Sequence, residues 1–179
     1  MVLIRGRKQF DNGAKHRMLY FPVNSLEMEG IELPEFPHIT LLYLGEVMEG
    51  ENPEVTIHYL EALAELSSLG TIEAKVNGVA RFCEKDEEGK TPFVLLVDSK
   101  DMLDFHISAE QQFGNTYSDH GFTPHITLSY LGEEESMPFD MADPASIGIS
   151  AVCYAEGDNT WCHTLQPEYI LEEDPQLWY

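Results

Sequence analysis

Residues 37–45 read PHITLLYLG, and residues 124–132 read PHITLSYLG. The two nonapeptides differ only at Leu42 against Ser129, although the two halves share little elsewhere. Such self-similarity marks a duplicated supersecondary unit. As a strand of period two, each phrase sorts into two faces. His38, Thr40 and Leu42 share one face, opposite Ile39, Leu41 and Tyr43. In the second copy His125, Thr127 and Ser129 stand opposite Ile126, Leu128 and Tyr130. The bulky set suits a core beneath helices. Pro37 and Pro124 suit the first position of a strand, and Gly45 and Gly132 break it. Packing would hold Ile, Leu and Tyr constant, but it has no use for His and Thr. The polar letters therefore point to chemistry.

Joined across a pseudo-two-fold axis, the polar faces form a cleft with two imidazoles and two hydroxyls. Histidine, with an ordinary pKa of about 6.5, both takes and gives a proton near neutrality. Two of them flanking a substrate can serve as general base and general acid. Threonine hydroxyls can donate to the non-bridging oxygens of a phosphate. The set suits in-line hydrolysis of a phosphodiester without a metal. No His-x-His, HExxH or Cys/His cluster at ligand spacing points to zinc, so no metal and no cofactor is expected.

Around the repeats, residues 17–23 (RMLYFPV) read as a first strand after a basic N-terminal arm, 1–16. Residues 51–70 (ENPEVTIHYLEALAELSSLG) read as a helix capped by Asn52 and stopped by Gly70. Ile57, Leu60, Leu63 and Ala64 give it an apolar side. Residues 71–83 read as two strands about an Asn77-Gly78 turn, and 92–98 (PFVLLVD) as a buried strand. A second helix is expected over 100–113, and a closing hairpin from 147–155 and 160–165. The order of elements argues α+β with mainly antiparallel sheets. The whole chain, 1–179, reads as one domain of two intimate lobes.

The chain carries 32 acidic and 10 basic residues, a net charge of −22. Five of the basic residues precede residue 18, five lie between Lys75 and Lys100, and none follows Asp101. A protein that tracks a phosphate backbone needs a basic stripe, so long nucleic acid is disfavoured as a partner. No apolar run reaches the length of a membrane span, and the N-terminus is the reverse of a secretory signal. The expected location is the cytoplasm, the host's if the protein is viral. Cys83, Cys153 and Cys162 form an odd set. Cys153 and Cys162 can face each other across a hairpin, but two small buried or half-buried thiols are the preferred expectation.

Two His-x-Thr strands, each within P-H-hydrophobic-T-L and half a chain apart, resemble the 2H phosphoesterase superfamily. The resemblance implies a bilobal α+β fold, with antiparallel sheets lining a central cleft and helices outside. It implies metal-independent cleavage of a cyclic phosphodiester, with His38, Thr40, His125 and Thr127 as catalytic residues. It does not assign acid and base. Acidity favours a small cyclic nucleotide or cyclic oligonucleotide, including the defence signals that some phage relatives destroy. RNA 2',3'-cyclic phosphodiesterase or ligase-like action on RNA ends is one alternative, and a sequestering, non-catalytic module is another. Ser129 is expected on the cleft face. Tyr20, Phe122 and Trp161 are candidate base-stacking residues, with His120 as a further candidate from its loop.

Overall fold

A computed structural model describes residues 2–4, 16–28, 30–47, 53–113, 121–140 and 143–166. Two five-stranded sheets position the repeats. The first runs β1 (Val2–Ile4), β10 (Asn159–Thr164), β9 (Ala151–Glu156), β2 (His16–Pro22), β4 (His38–Glu46). The second runs β3 (Ser25–Leu26), β8 (Ala145–Gly148), β5 (Ala74–Arg81), β6 (Thr91–Asp98), β7 (His125–Leu131). All the pairings are antiparallel. With helices α1 (Pro53–Leu66) and α2 (Lys100–Phe113), the class is α+β as expected.

The sheets match strand for strand. Each ends on its repeat strand, and β4 and β7 touch each other. Like edges meet only through a rotation, since a translation would set the end of one sheet against the start of the other. The equivalence reaches single hydrogen bonds. The Val23 amide donates to the Pro37 carbonyl, and the Val97 amide to the Pro124 carbonyl, both at 2.9 Å.

One hydrophobic cluster runs through both sheets and both helices. It joins Leu19, Phe21 and Ile39 to Leu63 and Leu66 of α1, Met102 and Phe105 of α2, and Leu95 and Ile126 of the second sheet. Full burial of each such side chain contributes about 1.5–3 kcal/mol. Leu60 and Leu63 carry the helix stripe as expected, with Leu66 and Tyr59 beside them, whereas Ile57 and Ala64 are exposed. Ile57 lies two residues, about 200°, from Tyr59 on the helix. Asn52 and residues 5–15 lie outside the described residues.

Four further readings are corrected. Asn77-Gly78 is no turn: β5 is continuous, and its register shifts between Val76 and Gly78, the mark of a β-bulge. The run 147–155 is two strands in different sheets, β8 and β9, parted at Ile149-Ser150. Asn24 fastens this crossing beside the one from β2 to β3, accepting from the Ser150 amide (3.0 Å) and hydroxyl (2.7 Å). Within the expected arm, Val2–Ile4 forms an edge strand on β10. Finally, Cys153 and Cys162 are disulfide-bonded rather than two thiols. Gly157, with φ of 56°, opens a two-residue turn that pairs Glu156 with Asn159. Counting back from that turn sets Cys153 opposite Cys162.

On the helix side of the first sheet, Glu156 anchors a buried polar group. Its Oε2 accepts from the Tyr154 hydroxyl (2.6 Å) and from Thr56 of α1 (3.0 Å), and lies 3.5 Å from the Arg17 Nε. The Arg17 guanidinium sits over the Tyr59 ring at 5.7 Å. Arg17 is only 4% exposed, so losing the carboxylate removes one of the charges that offset its burial and leaves the Tyr154 and Thr56 hydroxyls without this acceptor. Glu156→Ala is expected to cost about 1–3 kcal/mol in urea unfolding. Glu156→Gln, which keeps an acceptor for both hydroxyls, should cost less. Adding Arg17→Met to Glu156→Ala should recover part of the loss.

Candidate active site

β4 and β7 start as the alternation predicts. Ile39 and Ile126 are buried on the helix side, and His38, Thr40, His125 and Thr127 lie half-buried on the opposite face. Each imidazole is held in the same way. His38 Nδ1 is 3.0 Å from the Phe36 carbonyl, and His125 Nδ1 is 2.8 Å from the Thr123 carbonyl. A carbonyl can only accept, so each Nδ1 carries a proton, and Nε2 is the nitrogen with the lone pair in the neutral ring. An aromatic edge supports each ring. Tyr20 meets His38 at 5.6 Å and 74°, and Phe82 meets His125 at 4.8 Å and 72°.

The His38 imidazolium is disfavoured. Burial holds its pKa below the ordinary histidine value, the Phe36 carbonyl opposes this, and the second imidazole, His125, lowers it further. That last influence places the two rings within electrostatic reach of each other. Thr40, His125 and Thr127 open onto a groove of about 1000 Å³.

Alternation then breaks, in both copies and at the same letter. Tyr20 pairs with Thr40 but Leu19 pairs with Leu42, leaving Leu41 as an extra residue. Likewise Val94 pairs with Thr127 but Phe93 pairs with Ser129, leaving Leu128 extra. A bulge shifts the phase of every side chain beyond it. Leu42 therefore joins the core at 2% exposure. Ser129 shares the face of Phe93, away from the histidines, which corrects its expected place in the cleft. Tyr43 pairs with Met18, and Tyr130 with Pro92, on the face of the histidines. Both tyrosines line the groove. The sequence carried this signal, since the tyrosine is the same letter in both copies while the letter before it varies. Strict alternation hid it.

The other candidates disperse. Tyr20 is 5% exposed and backs the His38 ring, so it offers no open face for a base. Trp161 stacks on Tyr154 at 5.7 Å on the helix side of the first sheet, away from the histidines. The residues of β10 that face the cleft side are Thr160, Cys162 and Thr164. Phe122 does line the groove, lying flat on His106 at 4.1 Å. His106 is engaged at both ring nitrogens. Its Nδ1 donates to the carbonyl of the bulged Leu41 (2.9 Å) and its Nε2 lies 3.4 Å from Glu110. His120 lies outside the described residues.

From the basic segment around 75–100, Arg81 lines the groove. Arg81 reaches the Thr91 hydroxyl and the carbonyls of Leu131, Gly132 and Glu135, fixing the end of β7. Lys90 pairs with Glu88 at 2.6 Å, and Lys85 with Glu133 at 3.8 Å. Among the described residues no cluster of three or more His, Cys, Asp or Glu side chains could hold a metal ion.

A model of the 2'-5' RNA ligase superfamily matches residues 32–144, a span containing both His-x-Thr strands. The chain belongs to this superfamily, the 2H phosphoesterases. Its fold resembles the crystal structure of TT0787 from Thermus thermophilus. The TM-score is 0.53 at 16% identity, over 86% of this chain and all of that one. Apo LigT of E. coli aligns at a TM-score of 0.42 and 14% identity, over 86% and 95%. A search of curated protein sequences gives no match. For a 2H phosphoesterase the expected chemistry is phosphodiesterase or ligase-like. No helix among the described residues is long and apolar enough to cross a membrane.

The histidine pair has a measurable signature. By NMR, His38 is expected to half-titrate below the ordinary value of about 6.5. His125→Asn removes a repelling charge and should raise it. A wild-type His38 titrating at or above the ordinary value would refute this account.

Proposed function

We propose that this protein cleaves a phosphodiester in a small nucleotide, with His38 as general base and His125 as general acid. The carrying observation is the matched imidazole pair, each with Nδ1–H given to the carbonyl two residues back. In the reaction, a water or ribose hydroxyl attacks phosphorus and passes its proton to Nε2 of His38. The P–O bond opposite the nucleophile breaks, and the leaving oxygen takes the Nε2 proton of His125. The depressed basicity of His38 favours this assignment, because the base must be neutral when substrate arrives. Thr40 and Thr127, one from each lobe, donate to the non-bridging oxygens. None of these steps calls on a metal.

The preferred substrate is a small cyclic nucleotide or cyclic oligonucleotide, such as a defence signal that a phage would gain by destroying. The net charge of −22 supports a small ligand over long RNA, whose phosphates the surface would repel. Such a substrate is compatible with action in a cytoplasm.

The test is a panel of 2',3'-cyclic, 3',5'-cyclic and cyclic di- and oligonucleotides with chelator present, read by product mass. Turnover should survive the chelator. His38→Ala and His125→Ala should each lose about 10²–10⁴-fold while keeping the wild-type circular dichroism spectrum. Full activity in both variants would sink the mechanism. Ligand that is bound but intact after long incubation would favour sequestration, and joined RNA ends would favour the ligase-like direction.

A further inference from the structure

Tyr43 and Tyr130 are 40% and 52% exposed. Core packing does not explain why both copies of the phrase keep this letter. The letter before it, which the bulge sends to the other face, is not kept: Leu42 is buried there and Ser129 is exposed. Each tyrosine instead stands beyond its own threonine on the face of the imidazoles, and both line the groove that holds Thr40, His125 and Thr127.

The two-fold relation sets their arrangement. Like edges meet at the β4–β7 contact, so the axis passes between the two His-x-Thr pairs. Points off that axis fall on opposite sides of it. One tyrosine therefore flanks the central phosphate position on one side, and the other flanks it on the far side. A phosphodiester seated between the histidines has a nucleoside on each bridging oxygen only if it joins two nucleotides. Its two bases would then run outward over the two rings. Aromatic stacking is sequence-tolerant and contributes about 1–3 kcal/mol per base. It also requires no positive charge, which suits an acidic protein whose groove arginine is committed to backbone carbonyls.

We propose that Tyr43 and Tyr130 are paired stacking platforms for the two bases flanking the scissile phosphate, so that the substrate contains an internucleotide linkage. A mononucleoside 2',3'-cyclic phosphate would use one platform alone. The surroundings give the two platforms different roles. The Tyr43 hydroxyl is hydrogen-bonded to His16 Nδ1, with the rings 5.7 Å apart, which fixes its plane. At the same groove, α2 presents Leu103 and Ile107, 47% and 44% exposed, and Phe122 lies flat on His106. Among the described residues no hydrogen bond or ring contact like that of Tyr43 with His16 holds Tyr130, so Tyr43 is the more ordered platform. This inference rests on the proposed phosphodiester chemistry for the identity of the central group, but its test reads binding separately.

The probes are adenylyl-adenosine with a 2'-5' or a 3'-5' linkage, and AMP. Binding is measured calorimetrically in a His125→Ala background, and KM and kcat in the active protein. The dinucleotide should bind at least tenfold tighter than AMP. Tyr43→Leu and Tyr130→Leu should each weaken it by about tenfold or more, while Tyr43→Phe and Tyr130→Phe stay within about twofold. In turnover the Leu variants should raise KM and leave kcat nearly unchanged. The proposal is overturned if the dinucleotides do not bind or bind no tighter than AMP. Leu variants that bind normally, or Phe variants that lose as much as Leu, overturn it too. If binding depends on both rings but nothing is cleaved, the chemistry fails and the platforms stand. If cleavage proceeds with wild-type KM in both Leu variants, the platforms fail and the chemistry stands.

Discussion

Both sheets end on the strand that carries the repeat, and those two ends meet. Everything functional here follows from that constraint. An edge strand has hydrogen-bonded partners on one side only, so it accommodates an extra residue without disturbing a second neighbour. Both strands take one after the threonine, at Leu41 and Leu128, and β4 takes a second at Leu44. In β4 the carbonyl of Leu41 is engaged by His106 from α2, which ties the local distortion to the helix layer. Within one short strand the bulge lets His and Thr face the groove, turns Leu42 or Ser129 to the other face, and returns a tyrosine to the groove.

The duplicated face is built from restraints that are separately weak. Each imidazole gives one hydrogen bond to a carbonyl two residues back and meets one aromatic edge, Tyr20 or Phe82. A hydrogen bond of this kind contributes about 0.5–1.5 kcal/mol net, and an aromatic contact about as much. Their value lies in direction. Together they fix the tautomer and the ring plane, which leaves Nε2 as the atom able to exchange a proton. Burial weighs on the charged form of His38, and the neighbouring imidazole adds to it.

Much of this was legible in the letters. His38, Thr40, His125 and Thr127 share a face because only two residues separate each pair, too short a span for phase to slip. Leu42 and Ser129 lie beyond the bulge, and no residue type announces a bulge at a leucine. The Asn77-Gly78 pair shows the converse. It is a strong hairpin signal, yet β5 continues past it as a bulge because β6 pairs with the strand before and after it. Trp161 was misplaced because the face of a strand is known only once its register is. The Gly157 turn settles that register, and it puts Cys162 on the cleft side and Trp161 on Tyr154. The split between β8 and β9 has no local cause in sequence. It reflects the fastening of two crossings by Asn24 and Ser150, a contact between residues 126 positions apart.

The acidity of the chain bears on how a phosphate can be held at all. Among the described residues lining the groove, Arg81 is the one lysine or arginine, and it is bonded to backbone carbonyls, so an anion there meets mainly neutral donors and protonatable rings. Neutral donors stabilise a phosphate chiefly where they are already oriented and water is excluded. Long-range attraction is absent, so association gains nothing from electrostatic steering. Affinity must then come from contacts made after arrival, from hydroxyls on the phosphate and ring faces on the bases. Such a site discriminates by shape near the phosphate rather than by the charge of the whole ligand. An acidic surface around it adds a penalty for every further phosphate, and so selects short ligands over long ones without any contact to the excess.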